Sequence, residues 1–314
     1  MGLKEMEDQA EKLREIMRQK KNNSGVPSDG QNENSGTTAG DKHSGRKTRI
    51  ITITSGKGGV GKSNLSVNMA IAFARLGKKV IVMDADLGLA NVNVLLKMIP
   101  KYNLYHVVKK QKSINEILVE TEYGISILAG ASGFSRIVNL GEEERQSFIN
   151  DLETLSFADI IIIDTSAGVS SNVMDFIAAA DDAVIITTPE TTAIADAYSI
   201  IKIIAMEYEQ IDLRLRLVVN RAKSSAEGKS VADRLINIVG QFLNLKIDYL
   251  GFIYEDLAVG NSVRVQKPFI VTDPKGKASV CIQHLAERMI KNQLADSSGV
   301  STKFKKLFGR PREE

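Results

Sequence analysis

Four isoleucines stand in a row from Ile160 to Ile163, between Asp159 and Asp164. An apolar run without alternation has no face to give to water, so a strand made from it must be covered on both sides. Similar short runs recur along the chain: "RIITITS" from Arg49, "KVIVMDAD" from Lys79, "GISILAG" from Gly124, "AVIITTP" from Ala183, "RLVVNR" from Arg216 and "YLGFI" from Tyr249. Helical segments separate most of them, among them "KSNLSVNMAIAFARLG" and "KASVCIQHLAERMIKNQLA". Strands alternating with helices predict βαβ units: an α/β domain with a mainly parallel sheet flanked by helices. With 314 residues, 43% of them hydrophobic, the chain can build one such large domain plus tails.

The predicted domain spans residues 49–295. Before it, residues 3–20 read as a helix, because Leu3, Met6, Ala10, Leu13 and Met17 recur at alternating spacings of three and four. Residues 22–48 read as a flexible linker, in which Val26 is the only large apolar residue up to position 47. After the domain, residues 296–314 read as a small basic amphipathic helix. Val300, Phe304, Leu307 and Phe308 share one side, and Lys303, Lys305, Lys306 and Arg310 line the rest.

The single cysteine, Cys281, excludes an internal disulfide and a cysteine-based metal site. It fits a reducing cytoplasm. The charged N-terminus does not read as a secretory signal, and no apolar window is long enough for a spanning helix. A net charge of +3 is too mild to argue for a nucleic-acid partner by itself.

"GKGGVGKS", Gly56 to Ser63, follows a predicted strand and opens a predicted helix. This is the context of a phosphate-binding loop. Backbone N–H groups of Gly56, Lys57, Gly58, Gly59, Val60 and Gly61 are expected to wrap phosphates, with Lys62 on the β- and γ-phosphates and Ser63 on Mg²⁺. Asn64 continues the loop into the helix. Asp164, at the end of the isoleucine strand, is expected to hold Mg²⁺ through water, and Gly168 to let the backbone approach the γ-phosphate. Asp84 and Asp86 end the second strand. They are read as pointing to opposite sides of it, Asp84 at the Mg²⁺ and Lys62 cluster and Asp86 at the attacking water. ATP and ADP are the expected nucleotides.

The loop carries a second lysine, Lys57. "KGGVGKS" with that early lysine resembles the deviant Walker A motif of the MinD/ParA ATPases. "DADLGLANVNVLL", "DTSAG", "VIITTPE", "VVNR" and "GFIYED" have counterparts there in the same order. The resemblance covers most of residues 49–294. One cysteine excludes the iron–sulfur branches, and the absence of tyrosine beyond Tyr254 excludes the tyrosine-kinase branch. "DQAEKLR", Asp8 to Arg14, resembles the N-terminal motif of the FlhG (YlxH, FleN) branch, which regulates flagellar placement and number.

The resemblance implies an ATP-dependent homodimer in which Lys57 reaches the partner's nucleotide, with Asn220 near the adenine. It implies that Asp8, Gln9, Ala10, Leu13 and Arg14 activate the signal-recognition-type GTPase FlhF. It also implies that Val300, Phe304, Lys305, Lys306, Leu307 and Phe308 bind anionic membrane lipid, placing the protein in the bacterial cytoplasm and at the inner face of the membrane. Flagellar rotor (C-ring) proteins are further candidate partners. The alternative is a relative acting in division-site placement or DNA partition, for which "RLRLVVNRAKSS" would be a basic patch. The chain offers little aromatic interleaving to support nucleic-acid binding.

Overall fold

A computed structural model describes residues 48–86, 91–130, 142–207, 213–291 and 303. The predicted N-terminal helix, the linker except Thr48, which is buried, and all of the C-terminal helix except Lys303 lie outside the described residues.

The core is one eight-stranded sheet in the order β3-β4-β2-β5-β1-β6-β7-β8. Its strands are β1 (Arg49–Thr54), β2 (Val80–Ala85), β3 (Leu118–Glu120), β4 (Ser126–Ala129), β5 (Ile160–Thr165), β6 (Asp182–Thr187), β7 (Arg214–Ala222) and β8 (Asp248–Tyr254). All neighbouring pairs are parallel except β3 with β4. The sequence reading missed β3. It is three residues long and only partly covered, so it has neither a run nor an alternation to betray it.

The isoleucine run becomes β5, between β2 and β1. Successive side chains on a strand point to opposite faces. Ile160 and Ile162 accordingly join the cluster built on Phe73 and Met289, while Ile161 and Ile163 join Phe148 and Phe176 on the other face.

Along the chain the helices are α1 (Lys62–Arg75), α2 (Asn91–Leu95), α3 (Leu104–Val108), α4 (Ile114–Ile117), α5 (Glu142–Glu153), α6 (Ser171–Ala179), α7 (Thr191–Glu207), α8 (Ser225–Leu243), α9 (Leu257–Arg264), α10 (Phe269–Thr272) and α11 (Lys277–Lys291). Helices α1 and α11 pack together over one face. Helices α5 to α8 cover the other. Every residue of β1, β2, β5 and β6 is buried.

The N-terminal edge of the sheet contains a buried ionic cluster. Arg49 Nε donates to Asp182 Oδ2 at 2.7 Å, Arg214 Nη2 to the same oxygen at 2.9 Å, and Arg216 Nε to Asp182 Oδ1 at 2.9 Å. Beside it, Lys303 Nζ donates to the Thr48 carbonyl at 2.9 Å and pairs with Asp181. Two expectations change here. Lys303 is buried against the domain, not part of an exposed basic face. Arg214 and Arg216 turn toward Asp182 and do not form an open basic patch.

Candidate nucleotide site

Ligands of open parallel sheets sit beyond the C-terminal strand ends. The ends of β1, β2 and β5 meet here in one row, with Ile53 opposite Asp164 and Asp164 opposite Asp84. The loop from Ser55 to Gly61 leaves β1 and enters α1. Gly61 sits just before α1 in the left-handed region, φ 103°, where a side chain would also strike Asn220 Nδ2 at 2.5 Å. At Gly56 a Cβ would lie 2.1 Å from the Asp196 carbonyl oxygen, so α7 leaves no room for any other residue.

Lys62 is buried at the first turn of α1. Burial lowers its pKa, against the opposing pull of Asp164 and Asp86. Ser66, one turn further on, donates to Asp164 Oδ1 at 2.8 Å, and the Ser63 side chain also bonds Asp164. Asp164 Oδ2 is buried without a hydrogen-bond partner. Burial raises Asp164 to about 6, although Ser63, Ser66 and Lys62 pull it down. Burial and the facing Asp164 raise Asp84 to about 7.

The Asp84 oxygens accept from backbone N–H groups, Oδ1 from Asp86 and Oδ2 from Val92, each at 3.2 Å. Asp86 lies one residue beyond β2, and Asn91 Nδ2 donates to its Oδ2 at 3.1 Å. The expectation of opposite sides is corrected. Positions two apart on a strand share a face, and both carboxylates act on the same cluster as Asp164.

Three expected residues hold the loop itself. The Gly168 N–H, at φ 94°, donates to the Ser55 carbonyl at 2.9 Å. Asn220 Nδ2 donates to the Val60 carbonyl at 2.7 Å, and its Oδ1 accepts from Arg221 N at 2.9 Å. Asn64 accepts at its carbonyl from Asn68 Nδ2 at 2.8 Å. Asn220 and Asn64 also border a cavity of about 890 Å³ with Gly61, Tyr254 and Asp256. Gly58 lies on the exposed side of the loop and Val60 is buried.

Lys57 turns outward. Its Nζ donates to Glu190 Oε2 at 2.9 Å and to Thr192 Oγ1 at 3.0 Å, with 40% of its side chain exposed. The sequence reading assigned no role to Ser66, Glu190 or Arg221. Ser66 was legible from its spacing, one helical turn past Lys62. Arg221, which donates to the Gly59 carbonyl at 3.0 Å, gave no local signal because it comes from β7.

A loop of backbone N–H groups at a helix start, a buried lysine and a set of carboxylates suit a nucleoside phosphate. The chain matches the CobQ/CobB/MinD/ParA nucleotide binding domain over residues 51–269. It belongs to that family. Antiactivator FleN of Pseudomonas aeruginosa is 35% identical over 242 residues, 77% of this chain and 86% of FleN. Flagellum site-determining protein YlxH of Helicobacter pylori is 35% identical over 245 residues, 77% of this chain and 82% of YlxH. These are relatives from the branch to which the motifs pointed. The solved structure of MinD from Pyrococcus horikoshii, complexed with Mg-ADP, has a TM-score of 0.63 at 24% identity. It covers 78% of this chain and 96% of that one, a likeness of fold. Among the described residues, no helix is long and apolar enough to cross a membrane.

Proposed function

We propose that this chain is a Mg²⁺-dependent ATPase of flagellar regulation whose nucleotide state sets whether two copies pair. The observation that carries the reading is the convergence of Lys62, Ser63, Asp84, Asp86 and Asp164 at the mouth of one phosphate loop.

The oxygen donors there are hard ligands suited to Mg²⁺, and Asp164 Oδ2 is buried without a hydrogen-bond partner, as a ligand atom awaiting a cation would be. Ser63 would hold the ion directly and Asp164 through water. When bound, Mg²⁺ would supply positive charge to the phosphates. Lys62 neutralises the β- and γ-phosphate oxygens, and the loop N–H groups fix the phosphates. Asp86 orients water for attack on the γ-phosphorus; a new P–O bond forms, the bond to the bridging oxygen breaks, and ADP and phosphate leave. Asp84 accepts from Asp86 N and Val92 N, and so positions Asp86 at the cluster.

In the single copy Lys57 is bonded to Glu190 and Thr192 at the exposed side of the loop, contacts that it would exchange for the nucleotide of a second copy. Sedimentation with ATP tests this. Lys57→Ala should stay monomeric and hydrolyse poorly, and Asp86→Ala should persist as a dimer. Dimerisation and turnover of Lys57→Ala at the wild-type level would overturn the role of Lys57.

We assign the N-terminal end on the resemblance of "DQAEKLR" to the FlhG branch and the C-terminal end on its basic amphipathic spacing. Residues 1–21 activate FlhF through Asp8 to Arg14, and residues 296–314 bind anionic lipid when dimerisation doubles them. A chain spanning residues 22–298 should lose both ATP-dependent flotation with anionic vesicles and stimulation of FlhF GTP hydrolysis. Retention of either activity removes the corresponding assignment.

A further inference from the structure

Among the described residues, β8 is an outer strand, paired with β7 alone. An open edge presents backbone N–H and C=O groups to whatever can pair with them. Here the edge lies at the bottom of a groove of about 760 Å³, bordered by the start of α8 and the length of α11. The floor is apolar, with Phe252, Val280 and Leu285 along it.

The rim is basic. Lys275, Lys277, Arg288 and Lys291 surround the groove, and among the described residues Glu287 is the only carboxylate lining it. Among the described residues none of these four cations forms an ion pair. Lys229 also borders the groove but is held by Asp233 at 2.5 Å. Two polar groups of Tyr249 differ in how they are met. Arg288 Nη2 reaches the Tyr249 carbonyl at 3.1 Å, so a side chain already answers one β8 acceptor. The Tyr249 hydroxyl is buried without a hydrogen-bond partner.

We infer that this groove docks an acidic, extended segment of a protein partner, which adds to the edge of β8 as a further strand. Strand addition draws affinity from the main chain and specificity from alternate side chains. The apolar side chains of the segment would face Phe252 and Leu285, and its carboxylates would meet the lysines. The charge favours an acidic occupant, and the strand backbone favours a peptide over a lipid headgroup, which cannot continue a ladder. None of these residues belongs to the phosphate loop. Tyr254 nevertheless borders both this groove and the nucleotide-side cavity.

The test uses the full chain and a displayed library of random twelve-residue peptides. Selection should enrich peptides that alternate Asp or Glu with Val, Ile or Phe. A labelled winner should bind Lys277→Glu/Lys291→Glu at least tenfold more weakly than wild type, and more weakly as salt rises. Cys281, the only cysteine in the chain, also lines the groove, so a bound peptide should slow its alkylation several-fold. Both lysines are exposed and outside the nucleotide site, so the variant's ATP turnover and thermal unfolding verify that it is intact.

Enrichment of peptides without acidic bias, binding indifferent to charge reversal, or unchanged Cys281 reactivity each overturns the proposal. Phosphatidylglycerol vesicles form the second arm. If the double variant loses vesicle binding while selected peptides ignore it, the groove reads a headgroup and the strand-addition proposal falls.

Discussion

The two ends of one sheet bury carboxylates in opposite ways. At the N-terminal edge Asp182 faces Arg49, Arg214 and Arg216. Burial alone would raise its pKa, but hydrogen bonds and charge from these guanidinium groups hold it below the ordinary carboxylate range. At the C-terminal edge Asp84 and Asp164 face each other, and Asp86 adds a further negative charge against Lys62. There burial raises Asp84 to about 7 and Asp164 to about 6. In the first cluster both Asp182 oxygens are answered by the chain's own cations, although Arg49 Nη2 stays buried without a partner, and the cluster serves the fold. The second is short of positive charge, as a site that receives a cation and a phosphate group would be.

Removing the acid from the closed cluster should have the largest effect. Asp182→Ala leaves Arg49 buried without its carboxylate and Arg216 with only Asp248 at 3.4 Å, and breaking such a buried pair costs about 3–5 kcal/mol. Urea denaturation of the nucleotide-free protein measures it. A loss under ~1 kcal/mol would mean that water reaches this edge and the contrast fails. The sign of the acid response follows from the depressed value. Asp182's contribution is present above the unfolded carboxylate pKa and is lost as pH falls through its folded one.

The open cluster should respond in the other direction. A carboxyl whose pKa rises on folding favours the fold while protonated. That advantage fades as pH climbs from the unfolded value, near 4, through the folded values of about 6 and 7. Asp164→Asn removes the buried charge while keeping an acceptor for Ser63 and Ser66. In the absence of nucleotide it should be more stable than wild type at pH 8 by about 1–3 kcal/mol, with the gap closing below about pH 4. ATP hydrolysis should be lost in the same variant. Equal stability of the two proteins across this pH range would show that the C-terminal cluster is not strained by charge.

Much of this was legible in local sequence. Runs such as Ile160 to Ile163 announce strands covered on both faces, and "GKGGVGKS" announces a glycine turn at a helix start. Both depend on neighbours within a few positions. Asp164 was legible because it ends a buried run, and Ser66 could have been read from helical spacing. Asp84 and Asp86 were legible as candidates, yet their directions were misread, although the two-residue period of a strand already puts them on one face.

Sequence by itself determined the alternation of strands and helices, the glycine loop that opens α1, and the family. Only the tertiary structure decided which charges meet. The strand order runs β2-β5-β1-β6-β7, so Asp84 comes opposite Asp164, and Asp182 comes within reach of Arg49 from far along the chain. The same holds for Lys57 on Glu190, Arg221 on Gly59 and Lys303 on Asp181. The physical reason is range. Helix and strand preferences are set by adjacent residues, whereas a buried charge is stabilised only by what the folded chain brings beside it.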